Sequence, residues 1–225
     1  MLKKRAVCII SGGMDSALAA QIAKNDNYDI IAVHFNYGQR TQRKELECFK
    51  KIVTNLNATA QHIIDLDFFA QIGVNALTDN SIDVPTKGIK PGVPITYVPF
   101  RNGIFLSIAS ALVQKYSAEA IFIGVVEEDS SGYPDCRESF IKSMENSINL
   151  GLNDNKVEIK TPLIHLSKAD IVKKSLELGV KLENTWSCYK NEDLACGLCD
   201  SCRLRLNGFK QLGLKDPINY EIVIK

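Results

Sequence analysis

The sequence AVCIISGGMDSALAAQIAK, residues 6–24, decides the fold because it joins an apolar run to a helical pattern through SGGMDS, Ser11–Ser16. The apolar run predicts a strand and the later apolar spacing predicts a helix. A glycine-rich turn between them gathers unpaired backbone N–H groups and the positive end of the helix dipole, which suits an anion. The turn fits neither a Walker A loop nor the G-x-G-x-x-G pattern. On these residues alone, a plain tight turn with Asp15 or Ser16 capping the helix is an equal alternative.

Short apolar runs continue to alternate with longer helical patterns along the chain. RAVCIIS, DIIAVHF, AQHIIDL and AIFIGVV predict strands, while RKELECFKKIVTNL and GIFLSIASALVQKY predict helices. This alternation is typical of βαβ units in a parallel sheet that is covered on both faces. We therefore predict an α/β protein with a Rossmann-like open parallel sheet, forming a single domain over residues 1–225.

The pattern is interrupted between Gln71 and Pro99, where four prolines and three glycines occur. A connection of this length without helices or strands is usually functional or disordered in a compact domain. We interpret residues 71–99 as a loop or lid over a site, with a surface excursion as the alternative.

Charge and hydropathy limit the classes of partner. Lys and Arg total 27 against 26 Asp and Glu, so the formal charge is +1 and provides no overall field to attract a polyanion. We expect no direct binding to nucleic acid. The apolar stretches are too short for a signal-peptide core or a transmembrane helix, so we expect no membrane association and a cytoplasmic location.

Four of the seven cysteines lie in SCYKNEDLACGLCDSC. Cys188, Cys196, Cys199 and Cys202 form a C-x7-C-x2-C-x2-C pattern, which predicts a closed metal site in a reducing compartment. Zinc is the favoured ion, and an iron–sulfur cluster is the alternative. A closed all-thiolate zinc site is structural, so residues 186–225 are predicted to be a zinc-stapled C-terminal segment of the domain.

Polar residues cluster where three predicted strands end or a helix begins. Ligands bind at the carboxyl ends of the strands in open α/β sheets, so these residues are candidates for substrate contacts. A solvated charged turn is the alternative for each residue taken singly. The candidates are Tyr37, Gln39, Arg40, Arg101, Asn102, Asp129, Tyr133, Asp135 and Arg137. The three histidines have no metal spacing and are interpreted as structural.

Six features together resemble a known family. The loop by itself resembles the pyrophosphate loop of the N-type ATP pyrophosphatases, which cleave ATP between its α and β phosphates. In their order along nearly the whole chain, the features resemble the 7-cyano-7-deazaguanine synthases of queuosine biosynthesis. They are SGGMDS, YGQR, VPFRN, GYPDCR, SKADIV and the cysteine pattern. One departure is that Val126 and Glu127 stand where the family carries asparagine and alanine.

The resemblance implies a ligase that forms carbon–nitrogen bonds on an adenine nucleotide alpha hydrolase-like fold. It implies conversion of 7-carboxy-7-deazaguanine and ammonia to the nitrile, through an acyl adenylate and an amide, in a tRNA-modification pathway. ATP with magnesium would be the cosubstrate, and zinc would be structural. The expected partners are these small molecules, with a homodimer as a reasonable assembly.

The resemblance also implies residue roles. Asp15, Ser16 and Arg101 would be catalytic, and the carboxylate of Asp15 would be tolerated beside phosphate by meeting magnesium. The other polar strand-end candidates would contact the substrate, with Asp135 first and Asp129 second as the carboxylate for the base. Residues of the first strand, loop and helix would bind the nucleotide: Ile9, Ile10, Ser11, Gly12, Gly13, Met14, Asp15, Ser16, Ala17, Leu18 and Ala19.

Two alternatives remain. A tRNA thiolase of the same superfamily would also adenylate an oxygen, but the near-neutral charge and the lack of an added RNA-binding region disfavour it. A zinc-stapled interaction module without catalysis is disfavoured by the intact SGGMDS loop.

Overall fold

The computed structural model of the protein describes residues 3–88, 92–127, 132–153 and 156–222. The strands are β1 (Arg5–Ile9), β2 (Asp29–Asn36), β3 (Ala60–Asp65), β4 (Ala120–Ile123) and β5 (Glu158–Lys160). The helices are α1 (Met14–Asn25), α2 (Gln42–Leu56), α3 (Phe69–Ile72), α4 (Arg101–Tyr116), α5 (Glu138–Gly151), α6 (Lys168–Glu177) and α7 (Asp200–Gln211). None of the helices in these ranges is long and apolar enough to cross a membrane.

The five strands form one sheet in the order β3-β2-β1-β4-β5, and every neighbouring pair is parallel. Cys8 in β1 pairs with Ala32 of β2 on one side and Phe122 of β4 on the other. The chain first adds β2 and β3 on one side of β1 and then crosses to the other side, where it forms β4 and β5. The direction in which strands are added therefore reverses between β1 and β4. A crevice opens at the carboxyl ends of such strands. The predicted open parallel sheet is confirmed.

Helices cover both faces of the sheet, as predicted. Ala6 and Cys8 pack into an apolar cluster with residues of α1 and α2, while Val7 and Ile9 pack with residues of α4 and α5. Side chains alternate between the two faces of a strand, so a strand buried on both faces must be apolar at every position. This explains why β1 is almost continuously apolar.

The segment interpreted as a loop or lid contains no helix or strand after α3 and before α4 in its described residues. Part of it is nevertheless held in place by one side chain. The Arg40 guanidinium donates hydrogen bonds to the carbonyl oxygens of Ala76, Asp79 and Ile82 at 2.6–2.7 Å. Charge-assisted hydrogen bonds of this kind stabilise a loop that lacks the regular backbone hydrogen bonds of a helix or a sheet. Whether the segment acts as a lid stays a prediction.

A buried ion pair ties the C-terminal residues together. Arg205 Nε and Nη2 donate to the two carboxylate oxygens of Asp216 at 2.7 and 3.0 Å. Both side chains are 1% exposed, and Arg205 Nη1 also donates to Thr185 Oγ1 at 2.7 Å. The bidentate geometry and the added hydrogen bond offset the cost of desolvating the charges. The ion pair therefore joins α7 to the chain on either side of it.

Candidate active site

The SGGMDS loop has a backbone shape that only glycine suits at its second position. Gly12 has φ +94°, and a Cβ atom there would collide with the backbone carbonyl of Glu45. The Gly12 carbonyl in turn accepts a hydrogen bond from the backbone N–H of Trp186 at 2.9 Å. The loop is thus packed between the start of α2 and the C-terminal segment.

The loop hydroxyls bond to the loop itself. Ser16 Oγ accepts from the Ser11 backbone N–H at 3.1 Å and donates to the Gly13 carbonyl at 3.0 Å. The N-cap of α1 is Gly13, and no side chain caps the helix. The alternative with Asp15 or Ser16 as the cap is therefore not what the structure shows. The first N–H groups of a helix have no intrahelical partner, so this terminus has donors for an anion.

Asp15 meets a lysine from a distant part of the chain. Lys168 Nζ donates to Asp15 Oδ2 at 2.6 Å, and Lys168 is the first residue of α6. The other carboxylate oxygen, Oδ1, is buried and has no hydrogen-bond partner among the described residues. A buried anionic oxygen beside a phosphate-type loop is a ligand that magnesium prefers. The donor set therefore fits the magnesium ion that the sequence analysis expects.

The end of β4 lies against the start of α1. A Cβ atom on Gly124 would lie 2.7 Å from the backbone carbon of Asp15 and the backbone nitrogen of Ser16. Only a residue without a side chain allows this approach. The sequence analysis did not single out Gly124, although a glycine directly after a buried strand can indicate close approach of another backbone.

Arg101, the first residue of α4, supplies a half-buried positive charge. Its Nη1 donates to the hydroxyl of Tyr37 at 2.9 Å, and its guanidinium carbon lies 5.4 and 5.8 Å from the ring centroids of Tyr37 and Phe105. Burial raises the pKa of Tyr37 to about 12. Tyr37 is therefore a neutral phenol at neutral pH and does not neutralise the Arg101 charge.

These groups line one cavity of about 230 Å³ at the crevice. The sequence analysis predicted eleven of its lining residues. They are Ile9, Ile10, Ser11, Gly13, Met14, Asp15, Ser16, Tyr37, Arg101, Asn102 and Tyr133.

Other residues predicted to bind ligands are not among the described residues that line the cavity. Asp129 lies outside the described residues, and Arg137 is exposed at the start of α5. Arg40 holds the loop that follows α3, and Gln39 is buried beneath the end of β2. The remaining ones are Gly12, Ala17, Leu18, Ala19 and Asp135.

The cavity also contains residues that the sequence analysis did not assign to the site. Glu45 is in the first turn of α2, and Lys168 is the first residue of α6. The C-terminal segment contributes a whole wall. Its lining residues are Trp186, Ser187, Tyr189, Ser201 and Leu204.

The four cysteines come together as predicted. All four are buried, and their sulfur atoms lie within 4.8 Å of one another. Backbone N–H groups point at the sulfurs: Asn191 and Cys196 donate to Cys188 Sγ, and Cys199 donates to Cys196 Sγ, each at 3.3 Å. Such bonds stabilise thiolates, and four thiolates in this arrangement fit a tetrahedral zinc ion. The wall residues adjoin these cysteines, so the cluster shapes the cavity.

The C-terminal segment packs against α2 and the loop that follows α3. The cysteines share an apolar cluster with Cys48 of α2 and with Ala76 and Val84 of the loop that follows α3. The cluster is therefore attached to a helix and a loop that themselves cover the sheet.

Asp135 holds the start of α4. Its Oδ2 accepts from the backbone N–H of Asn102 at 2.9 Å, and the residue is 1% exposed. Burial raises the pKa of Asp135. A carboxylate at a helix N-terminus satisfies an unpaired donor and complements the dipole, which gives Asp135 a positioning role beside Arg101.

We expect Asp135→Ala to lower the free energy of unfolding by about 1–3 kcal/mol, the usual cost of leaving a buried donor unsatisfied. Urea denaturation of the variant and the unchanged protein measures this difference. An unaltered unfolding curve would contradict the positioning role and would favour a direct contact between Asp135 and the ligand.

A family model described as "Queuosine biosynthesis protein QueC" matches residues 5–213, which include the loop, Arg101 and all four cysteines. The chain belongs to the QueC family. The family expected from the six sequence features is thus confirmed.

Curated relatives match the QueC-family chain over almost its full length. A Sulfurovum sp. (strain NBC37-1) protein named 7-cyano-7-deazaguanine synthase is 68% identical over 218 residues, which are 96% of this chain and 98% of that protein. A protein of the same name from Aliarcobacter butzleri (strain RM4018) is 63% identical over 219 residues, 97% of this chain and 96% of that protein. Neither relative has a large region that this chain lacks.

A solved structure supports the fold of the QueC-family chain. The crystal structure of a 4-thiouridine synthetase–RNA complex with bound ATP matches with a TM-score of 0.52 and 22% identity, covering 78% of this chain and 41% of that one. At this identity the likeness shows the fold alone. The fold is of the adenine nucleotide alpha hydrolase-like class, as predicted.

Proposed function

We propose that the protein is a 7-cyano-7-deazaguanine synthase that uses ATP and ammonia to convert 7-carboxy-7-deazaguanine to the nitrile. The observation that carries the proposal is full-length similarity to synthases together with one cavity that contains the SGGMDS loop, Asp15 and Arg101. The cytoplasm is the proposed location, and the substrates are small molecules.

The first step is an adenylation. A carboxylate oxygen of the substrate attacks the α-phosphorus of ATP, and the bond to pyrophosphate breaks. The loop amides and the N-terminus of α1 bind the departing anion, while Lys168 adds positive charge from the other side of Asp15. Asp15 Oδ1 would hold magnesium, which when bound supplies further charge to the pyrophosphate. Arg101 binds a negative charge of the substrate or of the α-phosphate.

The later steps of the proposed reaction convert the acyl adenylate to a nitrile. Ammonia displaces AMP and loses a proton, which gives the amide. The amide oxygen attacks a second ATP and releases pyrophosphate, and loss of AMP with the remaining N–H protons forms the C≡N bond. One carboxylic acid, one ammonia and two ATP thus yield one nitrile, two AMP and two pyrophosphates.

The four cysteines would hold zinc in a structural role. A closed all-thiolate site leaves no position for a water or a substrate, so the ion supplies folding free energy when bound. Its contribution to catalysis is to keep the wall formed by Trp186, Ser187 and Tyr189 in place.

Product analysis tests the reaction. Incubation with 7-carboxy-7-deazaguanine, MgATP and an ammonium salt is expected to yield the nitrile with AMP and pyrophosphate, rather than ADP and phosphate. With 7-amido-7-deazaguanine, the nitrile should form without ammonium, whereas the carboxylate should stall as an adenylate. Mass spectrometry distinguishes these species.

The same assay addresses the alternatives. A tRNA thiolase would leave both deazaguanines unchanged, and an interaction module would release no pyrophosphate. If zinc-loaded protein forms no nitrile from either substrate, the synthase proposal is wrong. A homodimer stays a prediction, which sedimentation analysis can measure.

A further inference from the structure

Glu45 is a cavity carboxylate to which the proposed chemistry assigns no role. Among the described residues that line the cavity, the carboxylates are Asp15 and Glu45. Asp15 is engaged by Lys168 at the phosphate loop. Glu45 approaches from the first turn of α2, next to the end of β2.

The carboxylate of Glu45 is held by two donors. Thr41 Oγ1 donates to Oε1 at 2.7 Å, and Gln39 Nε2 donates to Oε2 at 3.1 Å. Gln39 is itself fixed, since its Oε1 accepts from the backbone N–H of Tyr37 at 2.8 Å. Each carboxylate oxygen can accept about two hydrogen bonds, so each keeps one position for a ligand.

The surroundings of Glu45 favour a flat ligand with adjacent donors. The rings of Phe35, Tyr37 and Phe105 line the same cavity, and Phe35 stacks on Phe105 with centroids 4.2 Å apart. Burial raises the pKa of Glu45, while the bonds from Thr41 and Gln39 and the charge of Arg101 oppose the rise. A ligand that donates two hydrogen bonds would relieve the desolvation that burial imposes.

We propose that Glu45 accepts hydrogen bonds from the N1–H and the 2-amino group of the deazaguanine substrate, and so selects a guanine-type base. This inference rests on the proposed function. The two donors are adjacent on one edge of the base and match the two free acceptor positions of a carboxylate. The 7-carboxylate lies on the other ring, where Arg101 provides the opposite charge. Gln39 and Thr41 are positioning residues that act through Glu45.

The position of Gln39 follows from this assignment. The sequence analysis expected Gln39 to touch the substrate, but the amide lies beneath the cavity and donates to Glu45. An amide suits this position because it accepts from a backbone N–H and donates to a carboxylate at once.

The test compares two substrates that differ by one amino group. The probes are 7-carboxy-7-deazaguanine and 7-carboxy-7-deazahypoxanthine, which lacks the 2-amino group. A site built to accept from that group should reject the analogue strongly, and we expect the unchanged protein to prefer the guanine form by on the order of 10²-fold or more in kcat/KM.

Glu45→Gln replaces one acceptor oxygen with a donor and should remove the preference. We expect KM for 7-carboxy-7-deazaguanine to rise on the order of 10–100-fold, as for loss of a hydrogen bond to a charged group, with KM for ATP changed less than about twofold. The ratio of kcat/KM for 7-carboxy-7-deazaguanine to kcat/KM for 7-carboxy-7-deazahypoxanthine should fall below about tenfold. The matched control is Glu47→Gln on the same helix, because Glu47 pairs with Lys44 and Lys51 outside the cavity lining. It should keep the preference.

Three results would overturn the assignment. They are an unchanged base preference in Glu45→Gln, an equal rise in KM for ATP, and a rise confined to KM for ammonium. Calorimetric titration of the two bases into the protein without ATP makes the same comparison without turnover. It separates failure of this inference from failure of the synthase reaction. If Glu45→Gln does not fold, Thr41→Val tests the same base preference, because it removes one donor that orients Glu45. This variant should reduce the kcat/KM ratio between the two bases several-fold.

Discussion

Asp15→Asn is expected to lower kcat by on the order of 10²-fold or more, the usual loss when a preorganised transition-state charge contact is removed. Oδ2 of the carboxylate accepts from Lys168, and the buried Oδ1 has no hydrogen-bond partner among the described residues. The amide removes the negative charge that would hold magnesium beside the departing pyrophosphate. Pyrophosphate release under saturating ATP measures the effect.

The fold should be unaffected by this substitution. An acidic residue in the first turn of a helix contributes only about 0.3–1 kcal/mol through the dipole. The amide oxygen of the variant can still accept from Lys168, so the melting temperature should change little. Asp26→Asn, at the exposed end of the same helix, is the matched control and should keep full activity. A rate within twofold of normal in Asp15→Asn would remove this carboxylate from the mechanism.

Cys199→Ser should have the largest effect on stability. Cys199 is fully buried, lies in the four-sulfur cluster and is the N-cap of α7. Binding of a structural zinc ion is coupled to folding and contributes about 10–16 kcal/mol in zinc-finger peptides. Loss of one thiolate should therefore yield insoluble protein or a strongly lowered melting temperature. Metal analysis of the unchanged protein should find about one zinc per chain.

A control separates metal loss from a general cysteine effect. Cys48 is buried in the same apolar cluster but is not one of the four cysteines. Cys48→Ser should cost about 1–3 kcal/mol as a buried hydroxyl and should keep the zinc content. Iron with sulfide in the purified protein, or no metal at all, would contradict the zinc assignment.

The sequence determined the parts of the protein that depend on neighbours along the chain. The strand pattern, the glycine-rich turn and the C-x2-C-x2-C spacing each involve residues that are close together along the chain. Secondary-structure propensity and the short separation of the cysteines therefore predict them directly. The sheet and the cysteine cluster were therefore predicted correctly. The loop was also predicted to be an anion site, but its residues alone left a plain tight turn as an equal alternative, and the resemblance to a known family favoured the anion site.

Tertiary structure decided which polar residues face the cavity. Asp15 and Lys168 are 153 positions apart, and no local pattern pairs them. Asp135 and Gln39 were expected at the ligand because they follow strands, but the backbone turns Asp135 toward Asn102 and Gln39 toward Glu45.

The physical reason is that buried polar groups must find partners, and packing supplies those partners from distant segments. Asp135 satisfies a helix N-terminus, and Arg40 satisfies loop carbonyls, so both side chains hold parts of the fold in place. The Glu45 carboxylate likewise takes its partners from Thr41 and Gln39, which precede α2. Local sequence predicted the glycine-rich turn between β1 and α1, and only the packing of α2 and the C-terminal segment against it decided the walls of the cavity.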